Sequence, residues 1–104
     1  MSAIRIETNG PLVTLRLDKA RGNSIDEPLV EEIVDVCRQV SADRDVRGVL
    51  LASAHPKLFC PGLDLVTLLE YDRPALERFL GRFAEALWAL YTLRPPMEIG
   101  RAHV

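Results

Sequence analysis

The chain has 104 residues, 48% of them hydrophobic, enough for one ordinary globular domain and unlike disordered, collagenous or disulfide-scaffold sequences. Its 13 basic and 15 acidic residues are interspersed and leave a net charge of −2, so no single-sign field exists to draw in nucleic acid or an anionic membrane, and neither is expected as a partner. Cys37 and Cys60 lack metal-type spacing and no stretch reads as a signal peptide or membrane span, so a cytoplasmic protein with reduced thiols is the expectation.

Ile4 to Thr8 alternates apolar and polar residues, Asn9-Gly10 is a hairpin turn signal, and Val13 to Leu17 alternates again, which predicts an antiparallel hairpin. After a polar loop from Asp18 to Asn23, either Ser24 or Asp26 is suited to cap a helix with Glu27 and Pro28 in its first turn. Leu29, Val30, Ile33, Val34, Cys37 and Val40 then follow helical spacing. Gly48 to Ala52 is a short apolar run of the kind that forms a strand covered on both faces, and strand, helix, strand implies a parallel crossover. His55 to Gly62 reads as a loop ending in a Pro61-Gly62 turn, and Asp64 is placed to cap a short helix from Leu65. Arg73-Pro74 opens a long amphipathic helix with Leu76, Phe79, Leu80, Phe83, Leu87, Trp88 and Tyr91 on one side, ending before Pro95-Pro96.

The segment that bears on chemistry is Phe59-Cys60-Pro61-Gly62-Leu63-Asp64-Leu65, an apolar strand end running through a glycine turn to a helix start. Amides at a helix start point outward at the positive end of the helix dipole, so the Leu63 N–H is a candidate donor to a developing oxyanion. His55 and His103 have no Cys, Asp or Glu at ligand spacing, and no metal site is expected. Cys60 has no histidine partner and reads as a buried thiol.

Phe-Cys-Pro-Gly-Leu-Asp-Leu resembles the F-x-A-G-x-D-L signature of the crotonase (enoyl-CoA hydratase/isomerase) family, and its Gly-Leu-Asp-Leu part looks closest to enoyl-CoA isomerases. Val13 to Leu17 with Lys19-Ala20 resembles that family's strand and CoA-binding loop, and Asn23-Ser24-Ile25 resembles the step before its first helix. Arg47 to Leu51 and Leu90 to Pro96 stand where the family has its next strand approaches. Pro61 replaces the usual Ala and has no backbone donor, which leaves the Leu63 amide in place.

The resemblance implies an α/β fold, the N-terminal part of a crotonase-like spiral, over residues 1–97. It implies an enzyme on acyl-CoA thioesters in which the Leu63 N–H stabilises an enolate, with Lys19, Ala20, Arg21, Gly62, Leu63, Asp64 and Leu65 at the CoA substrate. Coenzyme A belongs to the substrate, so no separate cofactor is expected, and the full-length parent is expected to be a trimer-based homo-oligomer. The second oxyanion donor and the catalytic carboxylates follow later in the family's sequences, so the 104-residue chain is expected to be inactive alone, and poorly soluble for want of its packing partners. A non-catalytic CoA-binding or subunit-pairing role is the alternative. The likeness stops at Glu98, and Glu98 to Val104 is expected to be a non-native tail, because its codons fit a short-read sequencing adapter.

Overall fold

The computed structural model describes residues 3–19, 23–55 and 62–100. Ile4–Asn9 (β1) and Leu12–Leu17 (β2) pair antiparallel, with Ile4 opposite Leu17 and Asn9 opposite Leu12. That register makes Gly10 and Pro11 the loop residues, one position later than the predicted Asn-Gly pair. Gly10 takes a φ of 61°, a left-handed conformation that glycine adopts without steric cost.

Helix α1 spans Glu27–Ala42 and is capped by Asp26, whose carboxylate accepts the Leu29 N–H, so of the two candidate caps Asp26 fills the role. Its far end is closed from a distance: the Arg94 guanidinium donates to the carbonyls of Ser41, Asp43 and Val46 at 3.1, 2.8 and 2.8 Å, where the helix leaves oxygens unpaired. The chain then forms β3 (Gly48–Ser53), a single-turn α2 (Leu65–Leu68), the long α3 (Arg73–Tyr91) and β4 (Met97–Ile99). β3 runs parallel to β2, from Leu12 opposite Gly48 to Leu17 opposite Ser53, and β4 runs parallel to β3, giving one sheet in the order β1-β2-β3-β4.

Three layers result: the sheet, α1 and α3. Leu29, Val36 and Val40 on one side of α1 pack with Ile4, Val13, Leu15, Leu17, Val49 and Leu51 of the sheet. Val30 and Val34 on another side pack with Leu68 of α2 and Phe79 and Ala86 of α3. The wide apolar arc of α1 thus serves two interfaces. Arg82 ties α3 to α1, with its guanidinium 2.6 Å from both Glu31 carboxylate oxygens and also on Glu85.

One expectation needs correction. β3 is not covered on both faces: Leu50 is exposed, because the described residues place a helix layer on only one side of the sheet. On α3, Phe79 is buried and Leu76 and Phe83 partly so, whereas Leu80, Leu87, Trp88 and Tyr91 are exposed. The apolar arc of α3 is wider than the surface of α1 that it meets.

Burial pushes the Cys37 thiol up to about 11. The folded state favours the neutral thiol, so this contribution to stability is fully present below the unfolded value near 9.0 and is lost as pH rises through about 11. At pH 8, alkylation of Cys37, followed by mass spectrometry of its peptide, is expected to be about a hundredfold slower in the folded chain than in denaturant. Equal rates would show that the thiol is not buried against ionisation.

Candidate active site

The site is assembled where the β2–α1 connection meets the segment entering α2. Asn23 is fully buried with a φ of 69°, a left-handed value that asparagine tolerates better than most residues. Its side-chain oxygen accepts the Lys19 N–H at 2.8 Å and its amide nitrogen donates to Ser53 Oγ at 2.8 Å. Ser53 Oγ also accepts the His55 N–H at 3.0 Å, and the His55 ring Nε2 lies 2.7 Å from the Lys19 carbonyl. One buried asparagine therefore fixes both described ends of the loop to the end of β3.

Asn23→Ala leaves the Lys19 N–H without this acceptor and Ser53 without this donor, in a conformation alanine resists. It is expected to destabilise the fold by about 1–3 kcal/mol in denaturant titration. Asn23→Gly relieves only the backbone part and is expected to recover part of that loss. Identical stability of Asn23→Ala and the parent would remove the asparagine from this role.

Lys19 does not present a free ammonium. Its Nζ lies 3.1 Å from Asp26 Oδ2, with the two side chains only 16% and 18% exposed, while Asp26 Oδ1 caps α1. Ala20 and Arg21, the other predicted loop contacts, lie outside the described residues, as do Cys60 and Pro61.

Ile25 forms a single parallel bridge with Leu63. The Ile25 N–H donates to the Gly62 carbonyl at 2.6 Å and the Asp64 N–H donates to the Ile25 carbonyl at 2.8 Å. In this pattern Ile25 spends both its backbone groups on the bridge, while the N–H and C=O of Leu63 point to the opposite side. Among the described residues nothing accepts a hydrogen bond from the Leu63 N–H. Gly62 enters the bridge at a φ of 107°, which side-chain-bearing residues rarely adopt. Asp64 follows as the α2 cap, accepting the Thr67 N–H at 3.3 Å and the Thr67 hydroxyl at 3.0 Å.

This geometry revises the reason for the amide's availability. The helix dipole contributes little, because α2 has four residues and Leu63 precedes its cap. The Leu63 N–H is outward because Ile25 holds the neighbouring peptide groups. Gly62, Leu63, Asp64 and Leu65 are thus brought together, and the bridge joins them to the Lys19–Asn23 loop. Sequence reasoning passed over Ile25, Ser53 and His55 as site-forming residues, since each acts across a long separation in the chain.

Among the described residues no group of three His, Cys, Asp or Glu could hold a metal ion, and no helix is long and apolar enough to cross a membrane. A groove of about 520 Å³ between α1 and α3, lined by Val34, Cys37, Ser41, Trp88 and Thr92 among others, shares no residue with the Leu63 turn.

Among known proteins, carnitinyl-CoA dehydratase of Proteus mirabilis (strain HI4320) is 27% identical over 95 residues, 91% of this chain and 36% of that protein. Pseudomonas aeruginosa DspI superposes with a TM-score of 0.90 at 20% identity, over 97% of this chain and 41% of that one. The enoyl-CoA hydratase of Bacillus anthracis superposes with a TM-score of 0.87 at 21% identity, over 94% of this chain and 39% of that one. These structures show the same crotonase fold, and the chain spans well under half the length of each protein. The model of the family described as enoyl-CoA hydratase/isomerase matches residues 7–97. With that match extending from within β1 to the start of β4, the chain belongs to the enoyl-CoA hydratase/isomerase family.

Proposed function

We propose that this chain supplies half of the thioester site of an enzyme acting on acyl-CoA, with the Leu63 N–H as one oxyanion donor. The observation that carries the reading is the Ile25–Leu63 bridge, which leaves that N–H outward and unpaired among the described residues. A thioester oxygen resting on it gains negative charge as an enolate forms, so the contact strengthens toward the transition state. The Lys19–Asn23 loop, fixed by Asn23 and His55, borders the CoA moiety, and Lys19 serves there chiefly by bracing Asp26. In this reading the other donor and the carboxylates that move protons come from the part of the family's length that this chain does not span.

A specific observation favours inactivity of the chain alone. Two carboxylates at the turn and its bridge have structural roles: Asp64 accepts from Thr67, and Asp26 from Leu29 while pairing with Lys19. Neither is poised as a general base. Binding without turnover, or pairing with another subunit through the exposed face of α3, is the corresponding second reading.

The test is turnover of a short 2-enoyl-CoA by a protein in which this chain continues into a C-terminal part of the family's length, beside the chain alone. Turnover is expected only from the longer protein. Leu63→Ala is expected to retain it within a few fold, because the donor is a backbone group. A longer protein that folds and is inert on every acyl-CoA would overturn the proposal.

A further inference from the structure

We propose that His55 is a positioning residue for the CoA moiety: by holding the Lys19 carbonyl it sets the Lys19–Asn23 loop in place before a ligand arrives, without touching the ligand itself. This rests on the reading that the loop borders the CoA moiety. The His55 ring Nε2 lies 2.7 Å from the Lys19 carbonyl oxygen, across 36 positions of the chain. A carbonyl only accepts, so Nε2 carries the proton and donates it.

That bond closes a ring. The Lys19 N–H donates to Asn23 Oδ1, the Asn23 amide nitrogen donates to Ser53 Oγ, and the His55 N–H donates to the same Oγ. The His55 side chain then returns to the Lys19 carbonyl. Both backbone groups of Lys19 are thus held by side chains, its N–H by Asn23 and its C=O by His55. Because a peptide group is planar, a fixed carbonyl also fixes the direction in which the chain leaves Lys19.

These bonds differ in what they hold. Asn23 and Ser53 are fully buried, so breaking the bond between them orphans polar groups in the core. His55 is half-buried, and water can replace its ring at the Lys19 carbonyl, so withdrawing the ring releases the loop and spares the fold. Pro56 follows in the sequence, and a residue before proline is confined to extended backbone, so the ring is carried on a stiff base. Ordering a loop on binding lowers affinity, and a loop held beforehand avoids that cost. No bond of the Ile25–Leu63 bridge involves His55, so the histidine bears on the loop and not on the thioester donor.

The experiment is steady-state kinetics of His55→Ala, His55→Gln and His55→Asn in the longer protein described above, each beside its melting temperature. Two substrates are compared: a short 2-enoyl-CoA, and the same enoyl thioester of N-acetylcysteamine, which lacks most of the CoA moiety. His55→Ala is expected to raise KM for the enoyl-CoA about three- to tenfold, the effect of one lost hydrogen bond, with kcat kept within about twofold and kcat/KM for the short thioester unchanged. His55→Gln, whose amide nitrogen reaches the place of Nε2, is expected to restore KM, and His55→Asn, which falls short of it, is not. An unchanged KM for the enoyl-CoA, equal losses on both substrates, a KM that follows melting temperature across the variants, or failure of all three variants to fold overturns the inference and leaves the Leu63 reading standing. A parent with the same kcat/KM for both substrates overturns the reading of the loop and this inference with it. A parent that turns over neither overturns the proposed function as a whole.

Discussion

An ester in place of the peptide bond between Gly62 and Leu63, which swaps the Leu63 N–H for an oxygen and keeps every side chain, is expected to lower kcat about 10²–10³-fold. That is the usual effect of deleting one oxyanion donor, about 2.7–4 kcal/mol of transition-state stabilisation. The substitution is specific because the bridge does not use the Leu63 N–H. Its side effect is a weaker acceptor at the Gly62 carbonyl, which receives the Ile25 N–H at 2.6 Å. A second ester, between Leu63 and Asp64, controls for that. It deletes the Asp64 N–H that donates to the Ile25 carbonyl, damaging the bridge while sparing the Leu63 N–H. This control is expected to cost about 1 kcal/mol of stability and to keep turnover within a few fold. Equal losses from both esters would mean that bridge integrity, not donation to the thioester, governs activity.

Phe79→Ala is expected to be the most destabilising single truncation, by about 3–5 kcal/mol. Phe79 is 1% exposed and packs edge-on against Tyr71, with ring centroids 6.3 Å apart, and face-on against Phe83 at 6.2 Å. It shares its cluster with Val30 and Val34 of α1 and Leu68 of α2. The cavity would open at the point where three helices meet, and neighbouring rings held in close packing collapse only partly. A domain of this size holds only about 5–15 kcal/mol in total, so the variant approaches the threshold of unfolding. Because Leu68 anchors α2, loosening this cluster also frees the turn that carries Leu63. Leu80→Ala is the comparison: its neighbour in sequence is 45% exposed and is expected to lose no more than about 1 kcal/mol. Denaturant titration of both variants measures the difference, and similar midpoints would show that the α1–α3 interface is not the core it looks to be.

The elements were legible because their signals are local. Asn9-Gly10 marks the hairpin to within one residue, and Asp26 and Asp64, both read as candidate caps, each cap a helix through a bond to an amide three positions ahead. The turn at Gly62-Leu63-Asp64 was also readable, through its likeness to a family signature. What leaves its Leu63 N–H outward was not. Ile25 and Leu63 are far apart in the chain, and one bridge leaves no periodicity to detect. The same holds for Arg94 closing the end of α1 and for His55 reaching the Lys19 carbonyl. The pairing of Lys19 with Asp26 was likewise not readable, because only the fold brings the two side chains together. The depth of burial along α3 was not readable, because apolar spacing shows which residues share a side, not how wide a surface its partner offers.

The most direct test of the central claim is the carbonyl stretching frequency of an isotope-labelled 2-enoyl-CoA thioester bound to the longer protein and to its Gly62–Leu63 ester variant. Donation from the Leu63 N–H polarises the C=O bond, so the bound carbonyl is expected to absorb at lower frequency in the parent than in the variant. The same frequency in both, with the thioester bound in each, would contradict the assignment of Leu63 as an oxyanion donor.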